Sequence, residues 1–137
     1  MEYVHGRQQG KSSRAGEGTF TGQAMLDSVL ADGEGDATLV RVNSVIFGPG
    51  GRTYWHSHAD GQVLLVGSGR GMVETRDGDR HLLDPGDVVW APPGEEHWHG
   101  AAPDSFVMHT AVSLGVTQWR EEVSGDRYDA AFKAETE

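Results

Sequence analysis

Short β-type runs alternate with turn sequences along most of the chain after residue 36. Apolar and polar positions alternate inside these runs, and Gly, Pro and Asp separate them. Many short strands at such close spacing are typical of a sandwich or a barrel. The pattern predicts strands at 38–47, 54–58, 62–67, 71–76, 80–83, 87–91, 97–100 and 105–113.

The two ends of the chain differ from this β-rich centre. Residues 1–19 are polar and lack periodicity, which predicts an N-terminal arm. Residues 20–36 are ambiguous. Residues 20–30 could form a strand or an irregular apolar segment, and residues 31–36 are predicted as a loop. Ser124 stands before a run with helical character, as an N-cap would, so 123–137 is predicted as a helix or tail. The barrel is therefore expected to span 20–122, with its core at 38–113.

Composition and charge exclude several classes of function. The 137 residues suit one domain, and the absence of cysteine excludes disulfides and thiolate metal sites. With 21 Asp+Glu against 11 Lys+Arg, the net charge of −10 argues against a nucleic-acid partner. No apolar run approaches the roughly 20 residues of a membrane span, and the first residues are too polar for a secretory signal. A cytoplasmic protein with a small-molecule substrate is expected.

Histidines supply the candidate chemistry. Five of the seven lie in three short places, and His56 and His58, two apart on a strand, share a face. Gln62 follows a tight turn on the next strand, and His97 comes some forty residues later. Three imidazoles and an amide oxygen could surround one divalent ion and leave positions open for water or substrate. Such ligands suit Mn²⁺, Fe²⁺, Co²⁺, Ni²⁺ or Zn²⁺.

The spacing around these residues resembles the cupin superfamily. The chain carries Gly50-x5-His56-x-His58-x3-Gln62-x6-Gly69 and Gly86-x5-Pro92-x-Gly94-x2-His97, which resemble the two cupin motifs. The resemblance implies an all-β fold, a double-stranded β-helix or jelly-roll barrel, with the metal inside. Gln62 stands where the family usually has Glu, so the ligand set would leave the full +2 charge of the ion uncancelled.

A finer resemblance covers the segments from Arg52 to Gln62 and from Pro85 to Ala101. They are similar to a bacterial cupin group that includes the cupin-type hydroxynitrile lyases. The resemblance implies a three-His-plus-Gln site with Mn²⁺ or Fe²⁺, a homodimer, and a further histidine on the last strand, here His109. His99 shares a face with His97. Both His99 and His109 are therefore candidates for proton transfer.

Residues on two other strands are candidate substrate contacts. On the strand at 38–47 the alternation places Arg41, Asn43 and Val45 on one face, and the resemblance puts 43 and 45 in the pocket. Ser113 shares a face with His109. An Asn–Arg pair would suit a carbonyl or carboxylate-bearing substrate. The alternative for Arg41 is a surface salt bridge at the barrel rim.

Three functions follow as hypotheses. The first is a metal-dependent lyase that performs acid–base chemistry on an oxygenated substrate held at the metal, as hydroxynitrile lyases do. The second is an Fe-dependent dioxygenase, and the third is a non-enzymatic protein that binds a small ligand through its metal. An isomerase is also open. The three tryptophans Trp55, Trp90 and Trp98 are expected to pack, with Trp98 in the outer layer. A homodimer is expected to cover the apolar outer face of the last strand.

Overall fold

The computed structural model describes residues 1–4, 14–16, 18–33 and 39–136. It consists of short strands and one C-terminal helix. The elements in chain order are β1 (Arg14–Ala15), β2 (Phe20–Thr21), β3 (Ala24–Asp32), β4 (Val40–Phe47), β5 (Arg52–Thr53), β6 (His56–His58), β7 (Gly61–Gly69), β8 (Gly71–Thr75), β9 (Arg80–Leu83), β10 (Val88–Ala91), β11 (His97–Ala101), β12 (Val107–Leu114), β13 (Thr117–Trp119) and α1 (Gly125–Thr136).

The strands form two antiparallel sheets. The first sheet has the order β1-β3-β4-β12-β7-β10. The second has the order β13-β6-β11-β5-β2, and β8 joins it by pairing with β11 and with β9. Neighbouring strands in each sheet are often far apart in the sequence, as in a jelly roll. The predicted double-stranded β-helix is confirmed.

Alternation of side chains along the strands builds the interior. On β12 the residues Val107, His109, Ala111 and Ser113 are buried, and the residues between them are half-buried on the outer side. This is the face that the hydrophobic pattern predicts for the last strand. Apolar residues from both sheets close one part of the barrel, among them Phe47 and Leu26. The polar histidines lie beside this apolar cluster rather than on the surface.

The motif glycines lie at turns, as the sequence pattern indicates. Gly50, Gly69, Gly86 and Gly94 all have positive φ angles. At Gly69, with φ of 79°, an added Cβ would also lie 2.0 Å from the carbonyl oxygen of Phe106. Only glycine allows both this backbone conformation and this close approach.

The helix α1 covers the outer face of the second sheet. Its N-cap is Ser124, whose Oγ accepts the backbone N–H of Arg127 at 3.1 Å, as predicted. Tyr128 and Phe132 of the helix pack in one cluster with Trp98, which is fully buried. Trp98 thus points away from the barrel interior but is covered by the helix. No helix in the described part of the chain is long and apolar enough to cross a membrane.

A buried carboxylate joins this helix to the sheet. Glu74 on β8 is 0% exposed and accepts hydrogen bonds from Trp98 Nε1 at 3.0 Å, Arg80 Nε at 3.0 Å and Arg127 Nε at 2.9 Å. Three donors, two of them cationic, compensate for the removal of the carboxylate from water. The sequence analysis did not identify this contact.

Four sequence-based expectations need revision. Of the predicted strand at 54–58 only 56–58 is observed, as β6, because the N–H groups of Tyr54 and Trp55 bond outside the ladder, to Thr19 O and Glu121 O. The short strand β5 precedes it and was not predicted. The ambiguous segment at 20–36 contains β2 and β3, and its residues 34–36 lie outside the described residues. Residues 5–13 and 17 of the predicted arm also lie outside them, whereas β1 within that arm pairs with β3. Trp90, expected to pack, is 53% exposed.

Candidate metal centre and cavity

Three strands bring the predicted ligands to one place in the barrel. His56 and His58 lie on β6, Gln62 is the second residue of β7, and His97 lies on β11 in register with His56. The ring centroids of His56 and His97 are 4.4 Å apart, and those of His56 and His58 are 5.0 Å apart. All four side chains are buried.

A fourth histidine of the cluster, His99, comes from the same strand as His97. One ring nitrogen each of His56, His97 and His99 lie within 4.8 Å of one another, which is close enough to share an ion. Gln62 Oε1 is 2.9 Å from His97 Nε2, and the ring of His58 lies 5.8 Å from that of His97. The four predicted ligands are thus neighbours in the structure, but the group of nitrogens within 4.8 Å of one another contains His99 and not the predicted ligand His58.

Backbone carbonyls orient two of the imidazoles. Nδ1 of His56 lies 2.9 Å from Tyr54 O, and Nδ1 of His97 lies 3.1 Å from Glu95 O. A carbonyl oxygen can only accept, so each Nδ1 carries the hydrogen and each Nε2 keeps a lone pair. Metal-binding histidines are commonly held by such a second hydrogen bond.

A side chain performs the same task for His58. Its Nδ1 lies 2.9 Å from Thr117 Oγ1, and Thr117 Oγ1 also accepts a hydrogen bond of 2.8 Å from Arg41 Nη2. His58 Nε2 is buried and has no hydrogen-bond partner among the described residues. A buried ring nitrogen without a partner is unfavourable unless something binds it.

Burial keeps the whole cluster uncharged. It lowers the pKa of His58 and of His109 to about 4, and at His58 the His97 imidazole and the Arg41 guanidinium lower the pKa further. The pKa values of His56 and His99 are lowered well below the ordinary value, and that of His97 is lowered too, in each case mainly by burial. Near neutral pH these histidines are neutral, the form that binds a metal ion.

These groups fit a divalent cation. The amide nitrogen of Gln62 donates to Ser113 Oγ at 3.0 Å, which turns Gln62 Oε1 towards His97 Nε2. With the hydrogen of His97 on Nδ1, two lone-pair atoms face each other at 2.9 Å and need a positive charge between or beside them. The unpartnered Nε2 of His58 points to the same need.

His99 and His109 form a pair inside the barrel. His99 Nδ1 lies 3.0 Å from His109 Nε2, and both side chains are buried. His99 lines the cavity next to the cluster, whereas His109 lies behind it, with its ring 5.6 Å from that of Phe47. Of the two residues predicted to transfer protons, only His99 is in a position to touch a bound molecule.

Four side chains of the cluster, His56, His58, Gln62 and His99, line the floor of a cavity of about 460 Å³, whereas His97 lines a second cavity on its other side. The predicted substrate contacts Arg41, Asn43, Val45 and Ser113 all line the first cavity. Arg41 donates to Thr117 and to the carbonyl of Gly115 at 3.3 Å. The alternative of a salt bridge at the rim finds no carboxylate partner for Arg41 among the described residues.

Sequence reasoning missed part of the cavity wall. Thr117 and Trp119 lie on β13, beyond the last predicted strand, and the Trp119 ring is 4.6 Å from that of His56. Their spacing of two residues was the available signal. Phe20 and Leu26 complete the apolar side of the cavity, from the segment whose structure was ambiguous.

Comparison with known proteins agrees with the fold. The family model of the Cupin domain matches residues 43–112, about half of the chain, and includes all six residues His56, His58, Gln62, His97, His99 and His109. The chain belongs to the cupin family.

Two relatives are similar to the chain in sequence as well. The chain is 40% identical over 113 residues to an (R)-mandelonitrile lyase from Granulicella tundricola, covering 80% of this chain and 85% of that protein. It is 36% identical to a cupin-like protein from Thermotoga maritima, with a TM-score of 0.82 over 90% of this chain and 96% of the other. A polyketide cyclase from Streptomyces resistomycificus, at 18% identity, TM-score 0.69 and coverage of 94% and 91%, shares the fold alone.

Proposed function

We propose that this cupin is a metal-dependent lyase that performs acid–base chemistry on a small oxygenated substrate, in the manner of a hydroxynitrile lyase. One observation supports this proposal most strongly. The lone pairs of neutral imidazoles and the amide oxygen of Gln62 lie close together at the floor of an open cavity. His56, His58, Gln62 and His97 would hold the ion, for which Mn²⁺ or Fe²⁺ is proposed. When bound, the ion supplies Lewis-acid polarisation of an oxygen atom of the substrate.

The choice of Gln62 matters for this chemistry. Its amide is neutral, whereas a carboxylate at the same place would cancel one unit of the metal charge. Three neutral histidines and one amide leave the +2 charge undiminished, which lowers the pKa of a hydroxyl group in the cavity. The loss of a substrate proton near neutral pH is therefore favoured.

His99 is proposed to take that proton. Its Nδ1 is engaged with His109, so Nε2 is the ring nitrogen left for the substrate. In cyanohydrin cleavage His99 would remove the hydroxyl proton, the oxygen electrons would form the carbonyl, and the carbon–carbon bond would break with its electron pair on cyanide. Return of the proton from His99 to cyanide completes the balance. His109 would act through His99, as a positioning residue.

Mandelonitrile is the first substrate to test, because the relative from Granulicella tundricola is described as an (R)-mandelonitrile lyase. Cyanide release should be measured with the Mn²⁺-loaded protein, the metal-free protein and the His99→Ala variant. We expect cyanide from the first and only background from the other two. No cyanide above background from the loaded wild type would rule out this reaction.

The same assay separates the lyase from an Fe-dependent dioxygenase. Cyanohydrin cleavage consumes no oxygen, so the initial rate under argon should equal the rate in air. A rate that falls to background without O₂ contradicts the lyase proposal. The Fe²⁺-loaded protein should be assayed alongside the Mn²⁺-loaded protein, because iron is the metal that the dioxygenase hypothesis requires.

A further inference from the structure

The electrostatics of the cavity differ from those of the rest of the chain. The sequence has 21 Asp+Glu against 11 Lys+Arg, yet no carboxylate belongs to the described lining of the cavity. Apart from the histidines, the one ionisable side chain in that lining is Arg41. The described part of the lining thus carries one cationic side chain and no anionic one, which favours an anionic ligand.

Two hydrogen bonds fix the position of Arg41 and leave some of its N–H donors unused. Both of its hydrogen bonds, to Thr117 Oγ1 at 2.8 Å and to Gly115 O at 3.3 Å, come from Nη2. Within the described part of the chain, Nη1 and Nε have no hydrogen-bond partner. A guanidinium has five N–H donors, so three remain for a ligand. By contrast, Arg80 and Arg127 are committed to Glu74.

The sheet register places Arg41 close to the candidate metal centre. Arg41 pairs with Ser113, and Ser113 pairs with Gln62, so the three residues form one row across β4, β12 and β7. Neighbouring strands lie about 4.8 Å apart, which puts the backbones of Arg41 and Gln62 about 10 Å apart. Because both side chains point into the cavity, one small molecule can reach both.

We propose that the substrate carries a carboxylate, which Arg41 binds, next to an oxygen-bearing carbon that lies over the imidazole cluster. The class is that of short 2-hydroxy or 2-oxo acids and their derivatives. Asn43, two residues from Arg41 on the same inward face, adds an amide to the polar side of the cavity. This inference rests on the proposed function only in taking the same cavity as the substrate site.

The test compares lactate with its neutral analogue lactamide. Both carry the same hydroxyl carbon, and only lactate has a carboxylate. Binding to the full chain loaded with diamagnetic Zn²⁺ can be followed by NMR titration, with metal content measured for each protein. The variants are Arg41→Met, Arg41→Lys and, as a matched control, Arg70→Met, whose arginine lies outside the cavity lining and pairs with Asp104 at 3.9 Å.

We expect wild type and Arg70→Met to prefer lactate over lactamide, and Arg41→Met to lose about tenfold of that preference. Arg41→Lys should retain part of it, as a point charge. Lactamide affinity serves as the internal control, because a damaged metal site would weaken both ligands equally. An undiminished preference in a fully metal-loaded Arg41→Met protein overturns the proposal. Since no cyanide is measured, failure of the lyase assay and failure of this test are separate results.

Discussion

Thr117 is the residue through which the cavity wall supports the candidate metal centre. Thr117→Val preserves the shape and the β-branching of the side chain but removes the hydroxyl that lies 2.9 Å from His58 Nδ1. When His58 Nε2 binds an ion, Nδ1 must carry the hydrogen, and a buried N–H without a partner costs about 1–3 kcal/mol. Loss of such a supporting contact typically weakens metal binding about 10–100-fold. We expect a loss in this range.

The assay is a titration of the metal-free protein with Mn²⁺, with free Mn²⁺ followed by its electron paramagnetic resonance signal. Thr117→Ser is the control, because it keeps the hydroxyl and should bind Mn²⁺ within a few-fold of wild type. Far-ultraviolet circular dichroism should show the same fold for all three proteins. If Thr117→Val binds Mn²⁺ as tightly as wild type, His58 is not a ligand held by this contact, and the reasoning fails.

Three further outcomes are expected. Burial holds the pKa of His58 and of His109 at about 4, so the unfolded chain takes up protons that the folded chain does not. Between pH 7 and pH 5 the free energy of unfolding of the metal-free protein, from urea titrations, should therefore fall by roughly 2 kcal/mol for each histidine; an unchanged value contradicts this. Glu74→Ala should lower the unfolding free energy by about 2–4 kcal/mol, because it leaves three buried or half-buried donors unpaired; a change below about 1 kcal/mol would show that water replaces the carboxylate. The chain should sediment as a homodimer, and Trp90→Glu, in one row with Val63 and with Val112 of the last strand, should give monomers; a monomeric wild type refutes this.

Most of the barrel was predictable because its strands carry local signals. Side-chain alternation and Gly, Pro and Asp turns place all eight predicted strands within two residues of the observed ends. The pattern does not predict β5 or the gap at 54–55, where the hydrogen-bond partners of Tyr54 and Trp55 come from distant parts of the chain. Those partners leave no mark on the local pattern, so the break between β5 and β6 could not be predicted.

The candidate site was predictable to the level of its central residues. The spacing of two between His56 and His58 sets a shared face, and the motif spacing brings in Gln62 and His97. Which atoms meet is decided by contacts between distant segments. Arg41 and Thr117 are 76 positions apart in the sequence, and no periodicity indicates their hydrogen bond.

The relative depth of His99 and His109 in the barrel likewise could not be predicted from the sequence. Alternation places both side chains inside the barrel, which is correct. Their depth depends on how β11 and β12, from opposite sheets, face each other, and the two rings end in contact at 3.0 Å with His99 on the cavity side. Sequence reasoning therefore gave two equivalent candidates for proton transfer, whereas the geometry separates them.

The metal content of the purified protein tests the central claim most directly. Wild type and the His56→Ala variant should be loaded with Mn²⁺, passed through a desalting column and analysed for metal and protein. His56 lies within contact of His58 and His97 and has a carbonyl-oriented ring, so its removal should abolish the site. About one Mn²⁺ per wild-type chain, and almost none in the variant, is the predicted result. No retained metal in the wild type, or equal amounts in both proteins, would contradict the account.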